Sequence, residues 1–359
     1  MHIPDGYLSP STCATLYAGA VAGWYGAFRR LKRTLLSRVV PLISVFAAFA
    51  FVVMMFNLPL PGGTTGHAIG VTIAAIVLGP AGAILAISIA LAIQALFFGD
   101  GGITTLGANC FNMAIVGSLV AYASYRLIAA GASVASRRRI AAAAIAGYLA
   151  VNASAVVAAI EFGIQPLLFR DAGGTPLYAP YSMRVALPAM MIGHLTFAGL
   201  AEAVISAGLV AYLQVADPAL LQATSGSRPG WEESSEAVRV TAKGQRRLWL
   251  AVGLLMLLTP LGVLAAGKAW GEWSPAEFVV AEAQSPVTAA GVPVGTVPAG
   301  MQRLANLWTA PFPAYAPTFM KSAAFGYFLS AMFGVGLLLS LSLLVQGYLA
   351  RRRGTRYST

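Results

Sequence analysis

Residues 1–33 read MHIPDGYLSPSTCATLYAGAVAGWYGAFRRLKR: a short polar segment, an apolar stretch and a basic cluster. The apolar stretch, from Ser11 to Phe28, is long enough for a helix that spans a membrane. Five of the ten residues at 29–38 are basic, and loops rich in Lys and Arg stay in the cytoplasm. This stretch therefore predicts a membrane protein whose amino terminus lies outside the cytoplasm.

Composition places the whole chain in the same class. Of its 359 residues, 58% are hydrophobic and 10% are charged, with a mean hydropathy of +0.75. These values exclude an ordinary soluble domain. The net charge of +11 comes from short clusters between apolar stretches, so it indicates membrane orientation and no nucleic-acid partner. Two cysteines, Cys13 and Cys110, are too few for a disulfide framework or a thiolate metal site.

The apolar stretches predict an all-α, polytopic helix bundle of nine spans, with the amino terminus outside and the carboxyl terminus inside. Every basic cluster then lies on the cytoplasmic side. We expect a seven-span body (1–213), a polar cytoplasmic linker (214–246), and a two-span module (247–359) with an extracytoplasmic segment (268–321). The predicted spans are 11–28, 39–57, 67–78, 81–98, 111–127, 140–162, 184–213, 248–266 and 322–349.

The chain around Gly79-Pro80 leaves two interpretations open. The apolar run from His67 to Leu78 is short for a span, so 67–78 and 81–98 are either two short spans or a broken, re-entrant pair. Residues 58–66, rich in Pro, Gly and Thr, predict an irregular outer loop.

The first ten residues predict a bent segment that cannot be helical. Pro4 fixes its own φ and disfavours helix at the residue before it. Asp5-Gly6 is a turn pair. Ser9-Pro10 predicts a helix N-cap followed by a first-turn proline.

Met1 and His2 can chelate a metal by covalent geometry alone. His2 is large, and initiator methionine is normally removed only before small residues, so Met1 is expected to remain. A metal bridging the Met1 amine and the His2 amide nitrogen closes a five-membered ring, and the same amide with His2 Nδ1 closes a six-membered ring. Three nitrogens leave one corner of a square plane empty, for which His67 is a candidate. Such a set suits Ni(II) or Cu(II).

Each of these histidines also has a simpler interpretation. His2 can equally well belong to a disordered terminus. His67 can be a side chain at the end of a loop that caps a helix or forms a local hydrogen bond. His194 and Glu202, eight residues apart on one helical face, are functional candidates because they are intramembrane ionisable groups. A structural pair that serves helix packing or coupling is the favoured interpretation of those two.

Four more polar residues are candidates for supporting roles. The amide oxygens of Asn109 and Asn112 can accept from the free N–H of a ligating imidazole, although Asn109 is equally a helix N-cap. Asp100 and Glu161 lie near outer ends of spans, where they either support the ligands or are interfacial charges. No Walker A motif, nucleophile–base pair or Cys-rich metal signature occurs in the sequence, so no catalytic residue is predicted.

Three stretches resemble the CbiM/NikM family, the substrate-specific membrane components of cobalt and nickel energy-coupling-factor (ECF) transporters. They are MHIPDGYLS at 1–9, GTTGH at 63–67 and QALFFGDGGITTLGAN at 94–109. Gly193-His194 with AGLAE at 198–202 also fits the family's late-helix pattern. The resemblance covers about 1–213 and is most specific in the opening residues.

The resemblance implies a seven-span S component whose extracytoplasmic terminus folds back into the bundle. It implies a divalent metal, Ni(II) or Co(II), held as the transported substrate by the Met1 amine, the His2 amide and side chain, and the His67 side chain. Four in-plane nitrogens favour nickel slightly. The implied partners are a transmembrane coupling (T) subunit, ABC-type ATPase subunits and the lipids of a prokaryotic plasma (inner) membrane.

Region 247–359 is similar in layout to the small auxiliary component of the CbiN/NikN type, fused to the body. TPLG at 259–262 and WGEW at 270–273 look like the extended, fused versions of the family. We hypothesise that its outer loop reaches over the metal site and helps to load it.

Two other functions compete with metal capture for an ATP-driven importer. A stand-alone secondary, proton-coupled metal transporter needs several intramembrane carboxylates along a path, and Glu202 is essentially the one candidate. A membrane metal sensor or chaperone needs a signalling domain, for which the short linker leaves no room. The leading prediction is therefore a high-affinity, substrate-binding component whose ATP hydrolysis occurs on partner subunits.

Overall fold

The chain is predominantly helical in this computed structural model, which describes residues 1–32, 39–60, 64–224, 242–264, 269–284, 296–316 and 319–354. The helices are α1 (Pro10–Lys32), α2 (Val39–Met54), α3 (Val71–Ile93), α4 (Leu106–Asn109), α5 (Gly117–Ile128), α6 (Arg137–Leu168), α7 (Met183–Gly193), α8 (Gly199–Ala216), α9 (Ala242–Leu258), α10 (Pro275–Gln284), α11 (Ala299–Leu304) and α12 (Ala323–Gly354). Segments of π-helix join several of them: Gln94–Phe98 after α3, Cys110–Val116 between α4 and α5, and His194–Ala198 between α7 and α8. Short 3₁₀ turns lie at Pro218–Thr224, Thr259–Leu264 and Pro313–Tyr315.

Six helical segments of the described chain are long and apolar enough to cross a bilayer. The chain is therefore a multi-pass integral membrane protein, as its composition predicts. Helix α2 is apolar but shorter, at 16 residues. The six segments are Val71–Phe98, Leu106–Ile128, Arg137–Leu168, Met183–Ala216, Arg246–Leu264 and Ala323–Tyr348.

The amino-terminal bend has the predicted local structure. Gly6 has a φ of 89°, in the region that favours glycine. Helix α1 begins at Pro10, and the Ser9 hydroxyl accepts a hydrogen bond from the Thr12 amide at 3.1 Å. The predicted turn, N-cap and first-turn proline are thus confirmed.

Residues 58–66 differ from the predicted irregular loop. They contain an antiparallel hairpin of β1 (Leu58–Leu60) and β2 (Thr64–Gly66), in which Leu58 lies opposite Gly66. The prediction was wrong because it rested on the composition, in which turn residues dominate. The segment leads into the protein interior, where its backbone groups need partners, and strand pairing supplies them. Residues 65–70 are all buried.

Helix α3 is broken at Gly79, where φ is 71° and ψ is 169°. A Cβ placed on Gly82 would lie 2.6 Å from Leu78 Cβ, whereas residues three or four apart in a straight helix have Cβ atoms about 5–6 Å apart. The chain therefore bends sharply at Gly79-Pro80. The break is common to both interpretations of 67–98, two short spans and a re-entrant pair.

The amino-terminal end of α3 lies inside the bundle. A Cβ on Gly117 would lie 3.1 Å from Ser154 Oγ and 3.5 Å from Val71 Cγ2, and Ser154 is near the middle of α6. The first residue of α3 is thus level with the centre of a long helix. Non-helical backbone at such depth is tolerated only where protein surrounds it, and the burial of 65–70 meets that condition.

Glu202 caps this internal helix end. Its carboxylate accepts hydrogen bonds from the amides of Ile69 (2.9 Å), Gly70 (2.8 Å) and Thr72 (3.2 Å). The first amides of a helix have no intrahelical partner and favour a negative charge. A fully buried carboxylate on α8 therefore stabilises the start of α3.

The predicted His194–Glu202 pair is not observed, because the two side chains have separate partners. His194 Nδ1 lies 2.6 Å from the carbonyl oxygen of Met190, in its own helix. The π-helical segment His194–Ala198 lies between the two residues and changes the α-helical spacing on which the predicted shared face depended.

Segments of the carboxyl-terminal module pack on the body at several points. The Phe312 amide donates to the Phe97 carbonyl at 2.9 Å, and the Met301 amide donates to the Leu177 carbonyl at 3.1 Å. The Tyr7 hydroxyl donates to the Trp273 carbonyl at 3.0 Å. These contacts place the described parts of 269–316 over the amino-terminal segment. Residues 225–241 of the predicted linker lie outside the described part of the chain.

Candidate metal centre

The amino-terminal segment is folded into the protein. Met1, His2 and Ile3 are 5%, 2% and 0% exposed. The loop after α3 holds this segment: the Gly102 amide donates to the Ile3 carbonyl at 2.9 Å, and the Asp5 carboxylate accepts from the Thr104 amide at 2.7 Å. The alternative of a disordered terminus does not apply to this structure.

Glycine is required where that loop meets the terminus. A Cβ on Gly102 would lie 2.3 Å from the Asp5 amide nitrogen, so no side chain fits there. The run GDGG at 99–102 thus allows two backbone segments to approach closely. Its role is to hold the chain that carries the two terminal residues.

Asn109 supports the terminus through its backbone and not through an imidazole. Its Oδ1 accepts from the Ile3 amide at 2.8 Å, and its Nδ2 donates to the Ile3 carbonyl at 3.1 Å. Asn109 is the last residue of α4, and its side chain makes no capping hydrogen bond to the segment Cys110–Val116 that follows. The sequence identified the residue, but its partner is the Ile3 backbone and neither of the two that were predicted, a ligating imidazole or a helix start.

Asn112 and Glu161 form a buried pair away from the terminus. Asn112 Nδ2 donates to Glu161 Oε2 at 2.8 Å. The predicted hydrogen bond from Asn112 to a ligating histidine is not formed. Glu161 is therefore a hydrogen-bonded partner of Asn112 and not an exposed interfacial charge.

His2 and His67, distant in the sequence, come together in the fold. Their rings are stacked with centroids 5.0 Å apart and an interplanar angle of 27°. His67 Nδ1 lies 3.0 Å from the Ala68 carbonyl, so this nitrogen carries the proton and Nε2 presents its lone pair. Nε2 is buried and has no hydrogen-bond partner within the described ranges.

Both imidazoles are held in the neutral form. Burial lowers the pKa of His2 and of His67 to about 4. Burial disfavours the charged imidazolium, and a neutral imidazole is the form that binds metals. Both rings are thus in the ligating state at neutral pH.

The three terminal nitrogens face carboxylate oxygens. Met1 N and His2 N both donate to Glu272 Oε1, at 2.6 and 2.8 Å. His2 Nδ1 lies 3.0 Å from Asp100 Oδ1. Potential ligand atoms of His2, Asp100 and Glu272 all lie within 4.8 Å of one another. The arrangement concentrates nitrogen and oxygen donors around one point.

A tyrosine of the carboxyl-terminal module orients Asp100. The Tyr315 hydroxyl donates to Asp100 Oδ2 at 2.5 Å and accepts from Gln94 Nε2 at 2.9 Å. Burial and the nearby Glu272 charge raise the pKa of Asp100. The pKa of Glu272 shifts in the opposite direction. Burial is the largest single effect and would raise it, but the Met1 ammonium, His2 and His67 together outweigh burial and lower it.

Comparison with known proteins assigns the chain to a family of metal transport proteins. Residues 2–220 match the CbiM family, described as the cobalt uptake substrate-specific transmembrane region. The chain is 51% identical over 345 residues to the fused nickel transport protein NikMN of Rhodobacter capsulatus, a match that covers 95% of each chain. The chain belongs to the CbiM family.

One further relative covers most of the chain, and two solved structures cover about three fifths of it. The probable fused nickel transport protein LarMN of Lactiplantibacillus plantarum is 42% identical over 281 residues, 77% of this chain and 79% of that protein. A crystal structure of a transition metal transporter is similar with a TM-score of 0.56 and 51% identity, over 60% of this chain and 92% of its own. A crystal structure of a truncated transition metal transporter has the same TM-score, over 59% of this chain and 98% of its own.

Two site residues lie outside the CbiM match. Glu272 and Tyr315 belong to the region after residue 220, where sequence reasoning had only a layout and two short motifs. One signal was present: Glu272 stands between tryptophans in WGEW at 270–273. An acidic residue between aromatic residues in an outer segment is a candidate for a buried, paired carboxylate, but its partner could not be named.

Proposed function

We propose that this CbiM-family chain captures Ni(II) or Co(II) as the substrate-binding component of an ATP-driven, ECF-type importer. The Met1 amine, the His2 amide and Nδ1, and His67 Nε2 bind the ion. One observation carries the proposal: His67 Nε2 is a buried lone pair without a partner in the described chain, stacked against His2. A buried polar atom left unpaired is costly, and an ion satisfies it.

The chemistry of the donor set favours nickel. The terminal nitrogens are joined by short covalent links, which force them toward one plane, and square-planar nitrogen sites suit Ni(II). Bonds from imidazole to a transition metal are about 2 Å long, so one ion contacts both stacked rings only if it lies between His2 Nδ1 and His67 Nε2. The amine and the amide must lose protons when the ion binds.

The proposed topology has nine crossings, with the amino terminus outside. Contacts at the opposite end of the bundle support it, because they join chain segments that are all predicted to lie on the cytoplasmic side. Gln214 Nε2 donates to the Val134 and Ser136 carbonyls at 2.8 and 2.9 Å. Arg139 donates to the Leu221 carbonyl at 3.2 Å. We retain the division into a body (1–213), a linker (214–246) and a module (247–359).

Partner subunits supply the energy in this proposal. The sequence has no nucleotide-binding motif, so a T subunit and ABC-type ATPase subunits would drive release of the ion inward. A proton-coupled carrier is less well supported. Glu202, the carboxylate on which a proton path would depend, is bound to three backbone amides.

Inserting Leu-Ser between Met1 and His2 tests the site. A two-residue insertion separates the amine from the histidine, whereas one residue would move histidine to third place and create a different terminal chelate. We expect Ni(II) binding by the purified full chain, measured by metal content and chelator competition, to be lost. Wild-type protein should show the absorption of a low-spin, square-planar complex; an octahedral spectrum would contradict the four-nitrogen plane.

Two histidine variants sharpen this test. His67→Ala removes the fourth nitrogen and should weaken Ni(II) binding by at least about tenfold, the lower range for loss of a supporting group. His194→Ala is the matched control, since the His194 ring hydrogen-bonds the Met190 carbonyl of its own helix and is not one of the proposed ligands. Equal losses in both variants would overturn the assignment of His67.

A further inference from the structure

The loop at 269–274 of the carboxyl-terminal module is anchored beside the proposed metal ligands. Trp270 packs on Tyr181 and Phe162, with ring centroids 4.6 and 5.9 Å away. The Trp273 carbonyl accepts a hydrogen bond from the Tyr7 hydroxyl at 3.0 Å. Glu272 lies between these two anchors, and its side chain is 16% exposed. Its position is therefore set by the surrounding packing.

One oxygen of Glu272 receives both backbone nitrogens of the terminus. Met1 N and His2 N converge on Oε1 at 2.6 and 2.8 Å. An ion chelated by these nitrogens must lie where their bonds converge, on the same side. Oε1 thus holds the two nitrogens in the relative orientation that chelation needs, and it must move off the amide when the ion enters.

Charge balance indicates why a carboxylate is present at this position. A buried charge without a counter-charge is strongly unfavourable. Without metal, the Met1 ammonium is paired with Glu272. A divalent ion bound by these nitrogens also places positive charge at this point. Glu272 is the carboxylate that contacts both backbone nitrogens, so it is the counter-charge nearest to them in both states.

We propose that Glu272 is a positioning residue and the counter-charge of the metal site, so that the carboxyl-terminal module completes the site built by the body. The inference rests on the proposed function, because it takes Met1 and His2 as ligands. It assigns to the module a specific side chain and a specific task within the substrate site.

The test compares Glu272→Gln, Glu272→Asp and Glu277→Gln in the full-length chain, with Ni(II) affinity measured by chelator competition. Gln keeps the size and an accepting oxygen but removes the charge, and we expect affinity to fall about ten- to a hundredfold. Asp keeps the charge and should recover most of the loss. Glu277, whose carboxylate accepts a hydrogen bond from the Ser274 hydroxyl at 2.7 Å at the start of α10, is the control and should match the wild type.

Each outcome bears on a defined claim. Wild-type affinity in Glu272→Gln, or equal losses in the Gln and Asp variants, would overturn the role of Glu272 as counter-charge. The Leu-Ser insertion separates this result from the proposed function. If binding survives the insertion, the proposed ligand set and this inference both fail; if binding is lost but Glu272→Gln is unaffected, only this inference fails.

Discussion

At the scale of single residues, the site combines neutral imidazoles with fixed carboxylates. His2 and His67 face each other, and His67 Nε2 has no protein partner within the described ranges. The hydrogen bond from His67 Nδ1 to the Ala68 carbonyl sets the tautomer, and hence which nitrogen is free. Leaving a buried acceptor unpaired lowers stability by about 1–3 kcal/mol, which a bound ion would restore.

The pKa values of the histidines predict how metal affinity depends on pH. Because both pKa values are lowered to about 4, the imidazoles are neutral above that pH and release no proton on binding. The amine and the amide do release protons, so Ni(II) affinity should rise with pH by about tenfold per unit or more between about pH 6 and about pH 8. Chelator competition across that range measures it. A flat profile, or a step centred near the ordinary histidine pKa of about 6.5, would contradict the ligand set.

At the scale of elements, the broken helix α3 brings His67 to the terminus. Glu202 caps the internal end of α3 through the amides of Ile69, Gly70 and Thr72. His67 immediately precedes this capped segment, so a carboxylate on α8 helps to fix its position. The bend at Gly79 lets a short helical piece start inside the bundle and the chain continue as a long helix.

Gly79→Ala should destabilise the protein through its backbone. The φ of 71° and ψ of 169° at this position fall in a region that is essentially restricted to glycine, and a side chain there costs about 1–3 kcal/mol. Thermal unfolding of the purified protein in detergent should show a lower transition temperature and weaker Ni(II) binding.

Gly26→Ala is the matched control for this substitution. Gly26 lies in α1, and a Cβ there meets no described atom within 4 Å. Alanine is favoured over glycine inside a helix by about 0.5–1 kcal/mol, so the control should unfold at the same temperature as the wild type or higher. Equal effects of the two substitutions would argue against strain at Gly79.

At the scale of the whole molecule, the module and the body share one site. The first 220 residues match the CbiM family and hold the proposed ligands, while Glu272 and Tyr315 come from beyond that match. Backbone hydrogen bonds from Met301 and Phe312 to the body fix the described outer segments over the terminus. Under this cover Met1, His2 and His67 are buried, whereas the side chains of Glu272 and Asp100 keep 16% and 18% of their surface exposed.

Single-cysteine labelling tests the proposed orientation of the chain. Ala172→Cys lies on an exposed part of the loop at 169–182, between α6 and α7, and Ser133→Cys lies on the exposed turn between α5 and α6. A membrane-impermeant maleimide added to intact cells should label the first and reach the second only after permeabilisation. The native Cys13 and Cys110 are buried and should give little background. The reverse pattern would invert the proposed topology.

Much of the architecture could be predicted from local sequence. The Ser9-Pro10 helix start and the apolar segments follow from capping preferences and hydropathy. Two predictions that depended on distant contacts were wrong: Asn112 bonds Glu161, and His194 and Glu202 do not pair. The hairpin at 58–66 was missed, since strand pairing depends on register more than on composition.

The sequence by itself determined the membrane class, the bent terminus and the covalent spacing of the three terminal nitrogens, because each depends on neighbouring residues alone. Only the tertiary structure decided that Glu272 and Asp100 face those nitrogens, that Glu202 caps a helix inside the bundle, and that His67 presents Nε2. These contacts join residues far apart in the chain. They depend on how helices pack and which polar groups are buried together, and a single sequence does not record either.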